Sequence, residues 1–118
     1  QMIVAQNIAA VAEAFVFARK AGVDPARVRE ALMGGFAGSR ILELHGERMI
    51  ARRFEPGFRI ALHKKDVGLA LESARALGVS LPQTAGVAQL INTCMALGLD
   101  QSDHAALIQA VEHAAGLD

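Results

Sequence analysis

Apolar and polar positions follow helical spacing along the whole of this 118-residue chain. Apolar residues recur every three or four positions, and no segment shows the two-residue alternation of a strand bounded by hairpin turns. Glycine and proline divide the pattern into helices at about 1–21, 25–33, 40–50, 59–77, 82–97 and 103–115. The pattern therefore predicts an all-α domain of five to seven helices joined by short loops.

Residues typical of helix ends support these divisions. Asp24 precedes Pro25, which suits the first helical position, and Ser39 offers the next side-chain cap. Gly78 follows the fourth helix, where glycine readily adopts the left-handed conformation that ends a helix. The last helix has three alternative caps: Asp100, Ser102 and Asp103.

The first helix is apolar nearly all round. Its length suggests a membrane span, but Gln6, Asn7 and Glu13 interrupt it, and each is costly in lipid. We therefore expect a helix that is buried on several sides of a soluble domain. Its apolar faces exceed what one small domain covers, so we also expect a homo-oligomer, at least a dimer. The chain opens inside this helix without a cap, which we interpret as the start of a piece of a larger protein.

Composition narrows the function classes. Hydrophobic residues make up 53% of the chain, while twelve basic residues balance twelve acidic ones. Without an excess of positive charge, the chain is not expected to bind nucleic acid or an anionic membrane. The single cysteine, Cys94, lies in an apolar helical segment and is expected to be a buried thiol, which suits a reducing cytoplasm.

The segment HKKDVG, residues 63–68, is the most unusual stretch of the fourth helix. Lys65 has no acidic residue three or four positions away, and Gly68 leaves open space one turn on. An unpaired ammonium beside a gap suits an anionic ligand, although spacing alone favours a solvated lysine. Asp66 lies on the other edge of the apolar face near His63, where spacing alone favours a structural acid.

Two other patterns suggest sites less strongly. The glycine-rich segment 34–39 resembles a phosphate-binding loop, but it follows a helix rather than a strand, so a helix–helix turn is the better interpretation. The histidines at 45, 63, 104 and 113 form no His-x-x-x-His pair, so no metal site is expected. The isolated chain shows no complete catalytic set.

Several motifs together resemble the C-terminal domain of the β-hydroxyacid dehydrogenases. The motifs are AGVDP, GGFAGSRILELHG, FEPGFRIALHKKD, LPQTAGV and the closing DHAAL, and the resemblance covers essentially the whole chain. The nearest branches of the family are the tartronate semialdehyde reductases and then the 3-hydroxyisobutyrate dehydrogenases. The resemblance implies the multi-helical fold of the 6-phosphogluconate dehydrogenase C-terminal domain, with a long buried first helix.

The resemblance also implies a division of labour with a domain outside this chain. Residues 1–118 would be one C-terminal substrate-binding and dimerisation domain, and an N-terminal Rossmann domain would bind most of an NAD or NADP cofactor. The family's general-acid lysine would lie just before Gln1, so no catalytic residue is expected in this chain and the fragment alone is expected to be inactive. The alternative is a non-catalytic helical dimerisation module with the same fold.

Three residues receive roles from the resemblance. Lys65 would approach the nicotinamide end of the cofactor, while Phe58 and Asp66 would line the substrate cleft. Lys64 has no functional counterpart in the family motif and is expected on the surface. Ala105 replaces the usual serine of the closing motif, which puts a hydroxyl contact there in doubt.

Overall fold

The computed structural model describes residues 1–117 and contains six α-helices and a one-turn 3-10 helix. The α-helices are α1 (Met2–Lys20), α2 (Pro25–Leu32), α3 (Arg40–Ala51), α4 (Ile60–Leu77), α5 (Pro82–Ala96) and α6 (Ile108–Ala114), and the 3-10 helix spans His104–Leu107. In this part of the chain, β pairing is limited to one isolated bridge between Arg59 and Asp103. The predicted all-α class is confirmed.

The predicted end signals act as expected at most helices. The side chain of Asp24 accepts a hydrogen bond from the amide of Ala26, and Ser39 accepts one from the amide of Leu42. Gly78 ends α4 in the left-handed conformation with φ of 68°. These caps satisfy amides and carbonyls that helix ends leave without partners, so each boundary follows from local chemistry.

The long first helix lies at the centre of the fold. It packs against α2, α3, α5 and α6, and its buried residues are Ala5, Ile8, Ala9, Ala12, Phe15, Val16 and Ala18. By length and composition alone, α1 is apolar enough to cross a membrane. Its packing is that of a core helix, as the sequence predicted, and Ile3 and Phe17 remain largely exposed.

α4 buries the predicted apolar face together with one polar residue. Ile60, Val67 and Ala74 are buried, and His63 lies among them at 2% exposure. α4 packs along α5, whose Cys94 is fully buried as expected. Desolvation raises the pKa of the Cys94 thiol to about 11, so the residue is an unreactive core thiol.

The last helix differs most from its prediction. Of the three alternative caps, Asp103 is the one that accepts a hydrogen bond from the first turn, at the amide of Ala105. That turn is a 3-10 helix over His104–Leu107, which continues as α6. All four of its residues are buried, and this short segment packs against α3, α4 and α5.

Candidate functional site

The loop before α4 pairs with the loop before the 3-10 helix. The amide of Asp103 donates to the carbonyl of Phe54 at 2.9 Å, and the amide of His104 donates to the carbonyl of Phe58 at 2.8 Å. The amide of Ile60 then donates to the carbonyl of Ser102 at 2.9 Å. These bonds bring two segments together that lie about 45 residues apart in sequence.

Asp103 is the polar centre of this junction. It is 1% exposed, and its Oδ2 accepts hydrogen bonds from the amides of Gly57 and Phe58, both at 3.0 Å. Its Oδ1 accepts from the amide of Ala105 at 2.9 Å. Burial acts to raise the pKa of Asp103, but the hydrogen bonds from Phe58, Ala105 and Gly57 outweigh it and lower the pKa. The carboxylate is therefore ionised at neutral pH.

The ring of Phe58 packs against two buried histidines. Its centroid lies 5.2 Å from the His104 ring and 5.7 Å from the His63 ring, and the contact with His63 is edge-to-face. We call Phe58, His45, His63, Asp103 and His104 the Phe58 cluster. The cluster draws its members from α3, α4, the 3-10 helix and the two paired loops.

The three histidines of the Phe58 cluster form a chain of ring contacts. Nδ1 of His104 lies 3.1 Å from Nδ1 of His63, and Nε2 of His104 lies 3.2 Å from Nε2 of His45. Nε2 of His63 lies 3.5 Å from the carbonyl oxygen of Gln1. Because that oxygen can only accept, neutral rings give one consistent order in which His63 donates to Gln1, His104 to His63 and His45 to His104.

This order of donors explains why one buried ring nitrogen has no hydrogen-bond partner among the described residues. Nδ1 of His45 is left with a bare lone pair, and it is buried without a hydrogen-bond partner in the described chain. Oδ1 of Asp103 lies 3.9 Å from it, which is too long for a hydrogen bond. Desolvation by burial lowers the pKa of His45 and His63, and it lowers that of His104 to about 4. All three rings are therefore uncharged at neutral pH.

Spacing along the chain did not predict that these histidines would meet, yet the fold brings together a group with metal-ligand chemistry. Ligand atoms of His45, Asp103 and His104 lie within 4.8 Å of one another. However, the Asp103 carboxylate already accepts three amides, and Nε of Arg48 lies 3.6 Å from its Oδ1. That nearby positive charge disfavours a cation, so we interpret the group as a hydrogen-bonded network.

Of the residues predicted for the cleft and cofactor, Phe58 belongs to this cluster, Asp66 acts on its His63, and Lys65 lies on the exposed side of α4. Asp66 is half-buried, and its negative charge acts to raise the pKa of His63, which brings it to the same buried ring that Phe58 contacts. No hydrogen bond joins Asp66 to His63 among the described contacts, so the interpretation as a hydrogen-bonded structural acid is not supported. Lys65 is exposed and makes no hydrogen bond or ion pair with any residue of 1–117.

Gly68 leaves open space, as predicted, but the recess beside it does not adjoin Lys65 as expected. A side chain built at Gly68 would meet no atom within 4 Å. The recess beside it, about 130 Å³ in volume, is lined by Lys64 together with Gly68 and Asn92 of α5. The gap therefore adjoins Lys64 rather than Lys65, because residues four apart on a helix share a face.

The glycine-rich segment 34–39 is a helix–helix turn. An added Cβ at Gly38 would lie 2.5 Å from the carbonyl oxygen of Met33, so the chain needs glycine there for a close backbone approach. The amide of Gly38 donates to the carbonyl of Gly35 at 3.0 Å, which closes the turn. Phe36 protrudes fully into solvent from this segment. The turn interpretation is therefore preferred to a phosphate loop.

Comparison with known proteins decides the family. Residues 1–111 match the family profile described as "NAD-binding of NADP-dependent 3-hydroxyisobutyrate dehydrogenase". The chain belongs to this family. The resemblance read from the motifs is thereby confirmed, and the family is one of NAD(P)-linked hydroxyacid dehydrogenases.

The sequence identity between this chain and its relatives differs from one relative to another. The chain is 66% identical over 112 residues to 2-hydroxy-3-oxopropionate reductase of Escherichia coli (strain K12), covering 95% of this chain and 38% of that protein. It is 34% identical over 112 residues to a probable 3-hydroxyisobutyrate dehydrogenase-like protein, mitochondrial, of Arabidopsis thaliana, covering 95% of this chain and 34% of that protein. The chain thus spans little more than a third of the length of these relatives.

Solved structures from the family share the fold. A 3-hydroxyisobutyrate dehydrogenase from Salmonella typhimurium superposes with a TM-score of 0.88 at 24% identity, covering 92% of this chain and 38% of that one. A 3-hydroxyisobutyrate dehydrogenase from Mycobacterium tuberculosis, determined with L-serine, gives a TM-score of 0.81 at 27% identity, covering 93% of this chain and 40% of that one. At 24% identity, the similarity to the Salmonella typhimurium structure shows only that the fold is shared.

Proposed function

We propose that this chain is the C-terminal substrate-binding and dimerisation domain of a tartronate semialdehyde reductase (2-hydroxy-3-oxopropionate reductase). The full-length enzyme would interconvert D-glycerate and 2-hydroxy-3-oxopropanoate with NAD or NADP. The observation that carries this proposal is the 66% identity over 112 residues to the Escherichia coli reductase. The catalytic lysine and the Rossmann domain would lie outside residues 1–118.

The arrangement of Phe58, Lys65 and Asp66 supports the proposal. Phe58 contacts His63, and Asp66 acts electrostatically on the same ring, so the two proposed cleft residues lie around one buried side chain. The carbonyl of Gln1 also approaches His63. The first turn of α1, which the proposed general-acid lysine would precede, is therefore at the same end of the domain as the cleft residues.

One residue of this chain, Lys65, suits contact with a nicotinamide cofactor. When bound, NAD(P)H supplies the hydride that reduces the aldehyde carbon of the substrate. The ammonium of Lys65 is exposed and has no described partner, so it is available to a negatively charged or carbonyl oxygen near the reacting carbon. Phe58 and Asp66 would orient the small hydroxy acid, and the neighbouring lysine outside this chain would donate the proton.

A second candidate function is 3-hydroxyisobutyrate dehydrogenase. It is favoured by the description of the matching family profile and by the solved structure from Mycobacterium tuberculosis. The two candidates share the hydride transfer and differ in the substituents of the small acid. Initial rates of the full-length protein with each hydroxy acid and each cofactor distinguish them.

The alternative of a non-catalytic helical module is tested by the coding sequence before Gln1. A G-x-G-x-x-G unit after a strand and a lysine three residues before the asparagine that precedes Gln1 support the enzyme. Coding sequence that lacks both would refute it. We also propose a cytoplasmic location, because the one cysteine of the chain is a buried, unpaired thiol.

A further inference from the structure

The backbone and the ring of Phe58 are both held by the consecutive residues Asp103 and His104. Its amide donates to Oδ2 of Asp103, its carbonyl accepts from the amide of His104, and its ring packs against the His104 ring. A phenylalanine near the surface needs no such support for burial alone. The contacts instead fix the backbone and the ring of one residue together.

We propose that Asp103 is a positioning residue that fixes Phe58 in the substrate cleft. The inference rests on the proposed function, because that function gives Phe58 its place in the cleft. Asp103 itself is 1% exposed and acts through the loop, so it does not touch the substrate.

A carboxylate suits this role better than a neutral side chain of the same shape. One oxygen of Asp103 accepts the amides of Gly57 and Phe58, while the other accepts the amide of Ala105. Asparagine has a single acceptor oxygen, and its NH2 group would face amide donors on one of the two sides. The substitution Asp103→Asn therefore leaves at least one buried donor without an acceptor, while it preserves the shape of the side chain.

Arg48 holds the opposite side of the same loop. Its guanidinium donates to the carbonyls of Arg53 and Glu55, and its Nε lies 3.6 Å from Oδ1 of Asp103. The lowered pKa of Asp103 keeps its carboxylate charged toward this guanidinium at neutral pH. Arg48 thus holds the start of the loop at Arg53 and Glu55, while Asp103 holds its end at Gly57 and Phe58.

The test compares two aspartates of one loop in the full-length protein. Asp100 is the matched control, because its carboxylate accepts only from the side chain of Gln101. We expect Asp103→Asn to lower kcat/KM for 2-hydroxy-3-oxopropanoate by about ten-fold or more, since misplacement of a positioning group by about 1 Å can cost 100-fold. Asp100→Asn should stay within about two-fold of wild type. Equal kinetics for the two variants would overturn the proposal.

A double-mutant cycle separates positioning from general stability. If Asp103 acts through Phe58, then Asp103→Asn should change kcat/KM by less than about two-fold in a Phe58→Leu background. A general loss of folded protein would lower activity by the same factor in both backgrounds. That result would overturn the proposed role of Asp103.

A measurement on the wild type needs no variant to fold. The amides of Gly57 and Phe58 should exchange with solvent much more slowly than the amide of Glu55, which makes no described hydrogen bond. Exchange as fast as that of Glu55 would contradict the Asp103 contacts. If the wild type has no hydroxy-acid activity, the proposed function fails. The exchange rates still test the hydrogen bonds of Asp103 independently of that result.

Discussion

The side chains of Phe58 and Lys65 differ in how the domain holds them. The ring of Phe58 contacts two buried histidines, and its backbone is hydrogen-bonded on both sides. Lys65 is exposed and has no partner among the described residues. Phe58 therefore has a fixed position, whereas Lys65 is available to attract an anionic ligand over a longer range.

Substitution of each lysine of the HKKDVG segment tests which one serves the cofactor. Lys65→Ala in the full-length enzyme should lower kcat or raise the KM for NAD(P)H, with a loss of about ten-fold or more in kcat/KM. Lys64→Ala should have little effect, because Lys64 has no counterpart in the family motif. Steady-state kinetics with both variants decide the matter, and equal kinetics would refute the role of Lys65.

The buried histidines predict that acid destabilises the domain. His104 binds a proton in the unfolded chain at a pKa of about 6.5 but in the folded chain only at about 4. Between these values the unfolded state binds more protons, so stability falls as the pH falls. The loss from this group reaches about 3 kcal/mol below about pH 4 and is absent above about pH 7.

Denaturant unfolding across this pH range measures the effect. His104→Asn removes the central titrating ring, so its unfolding free energy should depend less steeply on pH than that of the wild type. Some slope should remain, because the pKa values of His45 and His63 are also lowered. The same slope in variant and wild type would contradict the account.

The Phe58 cluster shows what sequence patterns predict and what they miss. Phe58, Lys65 and Asp66 were found through family motifs, because those motifs are local in sequence. His45, His63 and His104 come from three separate elements, and spacing along one helix cannot show such a meeting. One signal was available: His63 lies between Ile60 and Val67 on the apolar face of α4, where a polar residue needs a partner.

At the scale of elements, α4 combines a buried face with an exposed one that carries the proposed cofactor residue. Ile60 and Val67 anchor the helix in the core, His63 contacts Phe58 of the loop before α4, and Lys65 lies on the outside. Loop pairing through Asp103 fixes where α4 begins. The position of the proposed site therefore depends on a contact between the fourth and last helical segments.

Gly68 provides a test of α4 that uses the same helix as its control. Gly68→Ala should stabilise the domain by up to about 1 kcal/mol, since the position is helical and an added Cβ meets no atom within 4 Å. Gly78→Ala should destabilise it by about 1 kcal/mol, because Gly78 has a φ of 68°. Thermal or chemical unfolding measures both, and destabilisation by Gly68→Ala would contradict the open space described there.

Helix boundaries were the most predictable elements, and the last segment was the least predictable. Asp24, Ser39 and Gly78 end or begin helices through contacts within a few residues, so their types alone indicate the boundary. The 3-10 turn at His104–Leu107 depends instead on tertiary bonds to residues of the loop before α4. The sequence pattern there is compatible with a cap at Asp100, Ser102 or Asp103. The tertiary contacts determine that Asp103 is the residue that caps the turn.

At the scale of the whole molecule, α1 leaves apolar side chains uncovered. Ile3 and Phe17 are 75% and 77% exposed, although seven residues of the helix are buried in the core. We propose that a second copy covers part of this surface in the full-length protein, as expected for a dimer of the family. Exposed apolar side chains of this size on a central helix are typical of an interface.

Sedimentation of the full-length protein tests the dimer. Phe17→Ser should weaken association, because it removes an exposed aromatic side chain from α1. Arg27→Ser on α2 is the control, since Arg27 is exposed and its side chain makes no hydrogen bond or ion pair with the described residues. A monomeric wild type at high concentration, or equal weakening by both substitutions, would contradict the proposed interface.

The most direct test of the central claim is the ratio of kcat/KM values for two aldehydes. The full-length protein is assayed with 2-hydroxy-3-oxopropanoate and with the semialdehyde of 3-hydroxyisobutyrate, using whichever of NADH and NADPH it prefers. We predict that 2-hydroxy-3-oxopropanoate is favoured by about ten-fold or more, because the chain is 66% identical to a 2-hydroxy-3-oxopropionate reductase and one substituent of a small substrate can change kcat/KM by about that factor. A preference for the 3-hydroxyisobutyrate semialdehyde, or no reduction of either, would contradict the account.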